Sequence, residues 1–457
     1  MPTSQLIKLV QDSLDSTMPY IAMYIAAASA VCTLAMAADA FIAFRTKMYW
    51  LPCNYFSLTV LAVAMKLPLD LTALDLSVND KFARISSLVL MSTAVSNFMT
   101  SLGSMEDNEI VLNMAALGIL VVTIAGNVCI HIAKIHSFEP RLYLFLPQQI
   151  ATVVIMLLFL TMLCCMSLMV PGAKRYIGLR YNEMHKSVSK NRQVEWGKFS
   201  SEELENMVKG YWVMAQTSSP QFVLARSAIS SVSGVLCLFT ALFLVQVWFV
   251  RNRLEAHASG SNFNLAYLDS NYGPSVYWIL AIQTIGVVMG TLAPVLRWLA
   301  ALWFKISETE GRSFRDELKV DKYWTWRLEE WRDSPLPFHV QNRVCKKILR
   351  DVLRFVLNLC IGVQILFVSA GKLVLFISSR FGSAVFFCFC KNKRPVSTGA
   401  QVDFSQYVLL EGEPRLPYKI LKNICNEADK LTCVGEEKQP RNLIQLLKKS
   451  SNFKGVG

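Results

Sequence analysis

The chain has 457 residues, of which 53% are apolar and 17% charged, with a formal net charge of +13 and a mean hydropathy of +0.37. A typical soluble domain is about 25% charged, so these figures argue against an ordinary soluble enzyme and against a disordered chain. Twelve cysteines over this length are too sparse for a secreted disulfide framework.

Residues Met1 to Thr17 carry one Lys and two Asp ahead of the first apolar run, which lacks the basic start and small-residue exit of a cleaved signal peptide. A membrane helix needs about 20 mostly apolar residues. The runs that qualify are Met18–Phe44, Trp50–Leu74, Ile85–Leu102, Ile110–Ala133, Leu144–Val170, Ala228–Val250, Ser275–Phe304 and Val352–Ser379. None alternates as the strands of a membrane barrel would. The fold expected is all-α, a polytopic membrane protein with about 7–8 transmembrane helices. Trp50–Leu74 is interrupted by Lys66, Pro68 and Asp70, and Val352–Ser379 by Arg354 and Lys372. The working topology is seven full spans and a partial eighth.

Residues 1–170 therefore form a first membrane region of five spans, and 228–304 a second of two. Between them lies a basic hydrophilic loop, 171–227, in which Ser201-Glu202-Glu203 opens a helix by N-capping. The hydrophilic segment 305–351 follows. It holds Tyr323, Trp324, Trp326 and Trp331 among charges, which reads equally as an interfacial helix and as a helix packing its Trp on its own domain. Residues 352–390 form an eighth span or a re-entrant segment, and 391–457 a basic tail, with a short helix expected at Asn442–Lys449. Pro171–Arg226 carries +4, Lys305–Asp351 +2 and Arg380–Gly457 +6, so nearly all the excess charge sits in these segments. This pattern fits an anionic membrane leaflet as partner and argues against nucleic acid, which wants a basic stripe on one module. The Lys/Arg bias puts the two long loops in the cytoplasm and the N-terminus opposite. Eight crossings would strand the basic tail on the outer side, so the last segment is expected to return or to lie in the interface.

Ionisable residues inside spans are functional candidates. Lys66 and Asp70 stand four residues apart on one helix face, with Pro68 between them to free a carbonyl. Asp39 lies six residues before Arg45, and the three residues Asp39, Lys66 and Asp70 form a candidate intramembrane polar site. Arg297 reads as snorkelling to the interface. Asn127 with His131, and Gln148 with Gln149, read as helix–helix glue. Cys388 and Cys390, next to Lys391, Lys393 and Arg394, are candidate lipidation sites. The chain lacks GxxxxGK[ST], HExxH, GxSxG and GxGxxG, and its five His show no metal spacing. No enzyme activity, cofactor or metal is expected.

The stretches PCNYFSLTVLAVAMKL (52–67), VSNFMTSLGSME (95–106), WRDSPLPF (331–338), LIQLL (443–447) and FKGVG (453–457) resemble a family of multipass membrane proteins of flowering plants to which no activity is assigned. The resemblance implies membrane location and helical architecture, and further sequence beyond residue 457. The function expected is that of a membrane scaffold or receptor-like interaction protein with protein partners. The alternative is a transporter or channel using Lys66 and Asp70, in the plasma membrane or an endomembrane.

Overall fold

The computed structural model describes residues 18–46, 55–71, 78–138, 146–192, 201–260, 272, 274–306, 317–334, 343–389, 407–410, 413 and 415–438. Regular structure among them is helical throughout. In chain order the α-helices are α1 (Met18–Thr46), α2 (Leu58–Asp70), α3 (Val78–Phe98), α4 (Asp107–Phe138), α5 (Leu146–Arg192), α6 (Ser201–Thr217), α7 (Pro220–Arg226), α8 (Ala228–Gly260), α9 (Ser275–Ile306), α10 (Trp326–Asp333), α11 (Arg343–Phe389) and α12 (Tyr418–Lys438). Two 3-10 turns, Met99–Ser104 and Lys322–Trp324, extend α3 and precede α10. A helix closes its own backbone hydrogen bonds, which lipid cannot do for it. Seven helices, α1, α3, α4, α5, α8, α9 and α11, are long and apolar enough to cross a membrane. The protein is an all-α polytopic membrane protein.

Two segments depart from the sequence-based reading. Trp50–Leu74 holds a short helix: α2 has 13 residues, about 20 Å at 1.5 Å per residue, so the helix alone falls short of about 30 Å of hydrocarbon. Ser57 caps it, accepting from the Val60 N–H, and Pro68 sits in its last turn. Val352–Ser379, by contrast, lies unbroken within the 47-residue α11. Helix α5 also continues past the expected span end at Val170, through Pro171, to Arg192. The helix expected over Asn442–Lys449 lies outside the described residues.

Helix α3 is the centre of the bundle. Its membrane-length window is fully buried, and it packs against α2, α5, α8 and α9. Side-chain pairings fix the directions of the others. Gln283 of α9 meets Ser29 of α1 and Ser87 of α3. One turn on, Gly286 lies between Thr33 and Leu90, and Gly290 between Met36 and Thr93. Helices α1, α3 and α9 therefore run parallel, in register. Gly286 and Gly290 form a small-xxx-small pair, the spacing that lets helix backbones approach closely in lipid. Helix α8 runs antiparallel to α9, with Trp248 donating to Thr284 and Gly234 opposite Pro294. For α1 and α3 to be parallel the chain must return between them, and α2 provides that return: Tyr55 lies by Asp39, and Val60 by Cys32, further back along α1.

A β-carbon on Gly234 would run into the Pro294 carbonyl and come within 2.8 Å of Trp298 Cβ, whereas one on Gly118 would meet nothing. Overpacking of this kind costs about 1–3 kcal/mol. Gly234→Ala is expected to lower the melting temperature of the detergent-purified protein. Gly118→Ala, which gains helix propensity of up to about 1 kcal/mol, is expected to hold or raise it. Equal melting of the two variants would refute the close α8–α9 approach.

Candidate functional site

Of the three predicted intramembrane residues, Asp39 binds elsewhere and only Lys66 and Asp70 meet. Asp39 accepts from the backbone N–H groups of Tyr55 and Phe56, each at 3.0 Å, so its carboxylate closes the chain entering α2. Lys66 and Asp70 do pair, at 3.9 Å, but the Lys66 side chain is 59% exposed. Lys66 is eight residues into α2, about 12 Å from the end that Asp39 holds. The far end of α2 is fixed by Arg84 of α3, which donates to the Leu71 carbonyl and to Asn127 of α4. Asn127 thus joins helices, as its sequence position indicates. Cys388 falls in the last turn of α11, and Cys390 lies outside the described residues.

The polar groups that do converge lie along α3. Gln283 donates to Ser87 at 2.7 Å and to Ser29 at 3.2 Å. Asn97 donates to the Gly290 carbonyl at 2.7 Å. Arg297 does not snorkel: it is 3% exposed and turns inward. Its guanidinium donates to Thr100 Oγ1 and to the Ser96 and Ala293 carbonyls, each at 3.3 Å. A long cation can reach the interface or turn inward, and from the sequence alone snorkelling is the cheaper choice. The signal for the inward choice is on α3: Ser92, Ser96, Asn97 and Thr100 recur at helical spacing in a segment otherwise apolar. Chemically this seam links α1, α3 and α9 by hydrogen bonds.

A second assembly forms at the end of the bundle where α5 emerges. Lys174 pairs with Asp107 at 3.7 Å and donates to the Met105 carbonyl. Helix α7 packs on the 3-10 turn after α3, so closely that a β-carbon on Gly103 would lie 2.8 Å from the Gln221 nitrogen. An open cleft of about 360 Å³ between α5 and α6–α7 is lined by Lys174, Tyr181, Asn182 and Ser218. The tail closes onto this end. Arg226 makes a two-pronged pair with Glu413, at 2.9 and 2.6 Å, with side chains only 4% and 12% exposed. It also donates to the Val408 carbonyl, and the Val408 N–H donates to Thr217. Ile420, Leu421 and Ile424 of α12 then bury against Val213 of α6, Phe222 of α7 and Phe304 of α9. Lys209 bridges Glu205 at 2.7 Å and Asp429 of α12 at 2.9 Å, and these hydrogen bonds hold its ammonium above the ordinary range. Burial, with Asp429 adding to it, pushes the Cys425 thiol up, and Lys209 opposes the shift.

The Trp-rich segment belongs to the same end. Trp324 is buried against the core, Tyr323 backs onto Gly172, and Arg175 sits 4.9 Å over the Trp326 ring. Of the two readings open in the sequence, Trp324 follows the one in which Trp packs on the protein itself.

No family model matches the sequence, and neither a curated protein nor a solved structure matches the chain.

Interhelical hydrogen bonds in membranes contribute about 0.6 kcal/mol, up to about 1.7, while an exposed ion pair contributes about 0–1. Gln283→Leu and Asn97→Leu are each expected to lower thermal stability in detergent by about 1 kcal/mol. The double variant Lys66→Gln/Asp70→Asn should stay within about 0.5 kcal/mol of the parent. The opposite order would show that the seam is not what joins the helices. Thiol reactivity follows the thiolate, so at pH 7.5 a maleimide should modify exposed Cys433 and spare Cys425. Glu413→Lys, which ejects the tail, should make Cys425 react.

Proposed function

We propose that the protein is a membrane scaffold, which holds a folded basic platform at one end of its helix bundle for protein partners. The observation that carries this reading is the buried Arg226–Glu413 pair. Two segments 187 residues apart in sequence are joined there into one surface. Removing one member of a buried pair costs about 3–5 kcal/mol, which makes the platform a fixed shape and not a loose collection of loops. The Lys/Arg excess of its segments favours the cytosolic side. Transport has less support, because Asp39, Lys66 and Asp70 serve separate local roles. What would favour it is Arg297, buried within a span on the α3 seam.

Affinity capture with the full chain in detergent tests the scaffold. Partners retained by the parent should be lost with Glu413→Lys and regained when Arg226→Glu is combined with Glu413→Arg. Capture that ignores both changes would count against the platform. Solute flux in proteoliposomes that disappears with Arg297→Met would favour the transporter.

A further inference from the structure

We infer that α11 does not cross the bilayer but lies along its surface at the platform end, with an apolar face in the acyl boundary and a cationic arm on anionic lipid headgroups. Its partners establish the depth. Along α11, Asn358 meets Arg332, Gln364 meets the Trp324 carbonyl, and Lys372 meets Asp321 at 3.1 Å. Phe376 lies under Lys305, 5.3 Å from ring centroid to Nζ. The segment 321–332 thus runs alongside α11 in the opposite direction. That segment includes α10, Trp-Arg-Leu-Glu-Glu-Trp-Arg-Asp, in which Arg327, Glu329, Glu330, Arg332 and Asp333 are charged. Such a segment belongs at headgroup depth. Between Asn358 and Phe376, a length of about 27 Å, α11 therefore runs beside this charged segment, and Gln364 reaches inward to the Cys165 carbonyl of α5 at 3.3 Å.

Contacts with the crossing helices agree. Gly371 backs onto Ala228, the first residue of α8, and Leu375 packs on Ala228, Ala301 and Leu302, the last of these near the end of α9. Both contacts are at the platform end. The tail that follows α11 docks on α6 and α7 at that same end, where a single crossing would have delivered it to the other.

The surface of α11 is two-sided along its length. Val344, Ile348, Phe355, Leu359, Leu366 and Phe381 fall on one helical face and are each 58% to 71% exposed. From Val344 to Phe381 that stripe is about 56 Å long, nearly twice the hydrocarbon thickness. The opposite face carries Leu357, Gln364 and Val368 against the protein and, further back, Lys346, Lys347, Arg350 and Arg354. Residues 344–356 are exposed throughout. This arm has four cations and one acid, Asp351. A lipid-surrounded crossing helix would be apolar on all sides. A helix with apolar and basic faces opposed lies in the interface and favours anionic lipid.

The test places the full chain in vesicles of phosphatidylcholine and phosphatidylserine. In a chain whose native cysteines are replaced by Ser or Ala, a fluorophore is attached through Val344→Cys, Val352→Cys, Leu366→Cys or Phe381→Cys, one at a time, and its depth is read by brominated-lipid quenching. All four labels should report the same shallow depth, and labels at Lys347→Cys and Arg350→Cys should be quenched by aqueous iodide. Depths that run from one headgroup through the bilayer centre to the other would overturn the proposal. Replacing Lys346, Lys347, Arg350 and Arg354 by Gln leaves every packed contact of α11 intact, so detergent stability should not change. In vesicles that variant should bring iodide quenching to the Val352→Cys label, and 0.5 M salt should do the same to the parent through screening. A label protected equally without phosphatidylserine, without the four cations and at high salt would refute the lipid partner.

Discussion

Lipid offers no hydrogen bonds to a helix, and α3 brings Ser86, Ser87, Ser92, Thr93, Ser96 and Asn97 into the membrane. It can stay there only if protein surrounds it, and protein does, along its whole membrane-length window. The arrangement of the other helices follows from that requirement. Ser92 and Thr93 satisfy their hydroxyls on their own helix, at the Leu88 and Val89 carbonyls. Asn97 and Ser87 turn to α9. The close seating of α9 needs Gly286 and Gly290, since a side chain at either would collide with α1 or α3. The short α2 exists because α1 and α3, both bound to α9, must point the same way.

The platform obeys a different physics. It forms where the crossing helices end and water can reach the chain, so its strength comes from a few well-made contacts and not from continuous burial. Most of its ion pairs are exposed and weak, as between Arg180 and Glu183, with side chains 50% and 67% exposed. The most buried is Arg226 with Glu413, where the Val408 carbonyl accepts from Arg226 and the Leu410 N–H donates to Glu413. The apolar contacts of α12 on α6 and α7 then shield this pair from water.

The apolar runs that became α1, α4, α5, α8 and α9 were legible in the sequence, because length and hydropathy are local properties. So was the helix opening at Ser201. What was not legible depended on distant partners. Trp50–Leu74 reads as one run only if Lys66, Pro68 and Asp70 are averaged away, and nothing local says that the helix returning the chain there has only 13 residues. The sequence does not show that Asp39 accepts from the N–H groups of Tyr55 and Phe56, which lie 16 and 17 residues later. Arg297 reads as an interfacial cation because its acceptors, Ser96 and Thr100, are about two hundred residues earlier. The interruptions at Arg354 and Lys372 in α11 look like flaws in a span, yet Lys372 is a contact with Asp321.

The order in which a ribosome makes the chain gives the Arg226–Glu413 pair a place in time. Arg226 leaves the ribosome long before Glu413, and α8, α9, α10 and α11 are all made in between. Through that interval the guanidinium, the Thr217 hydroxyl and the apolar slot of α6 and α7 face solvent without the segment that covers them. Seating of the tail therefore cannot begin until α8, α9, α10 and α11 have been made. A chain whose synthesis stopped before Leu410 would leave a hydrophobic notch with a bare cation at its edge, the kind of surface that chaperones hold and proteases find.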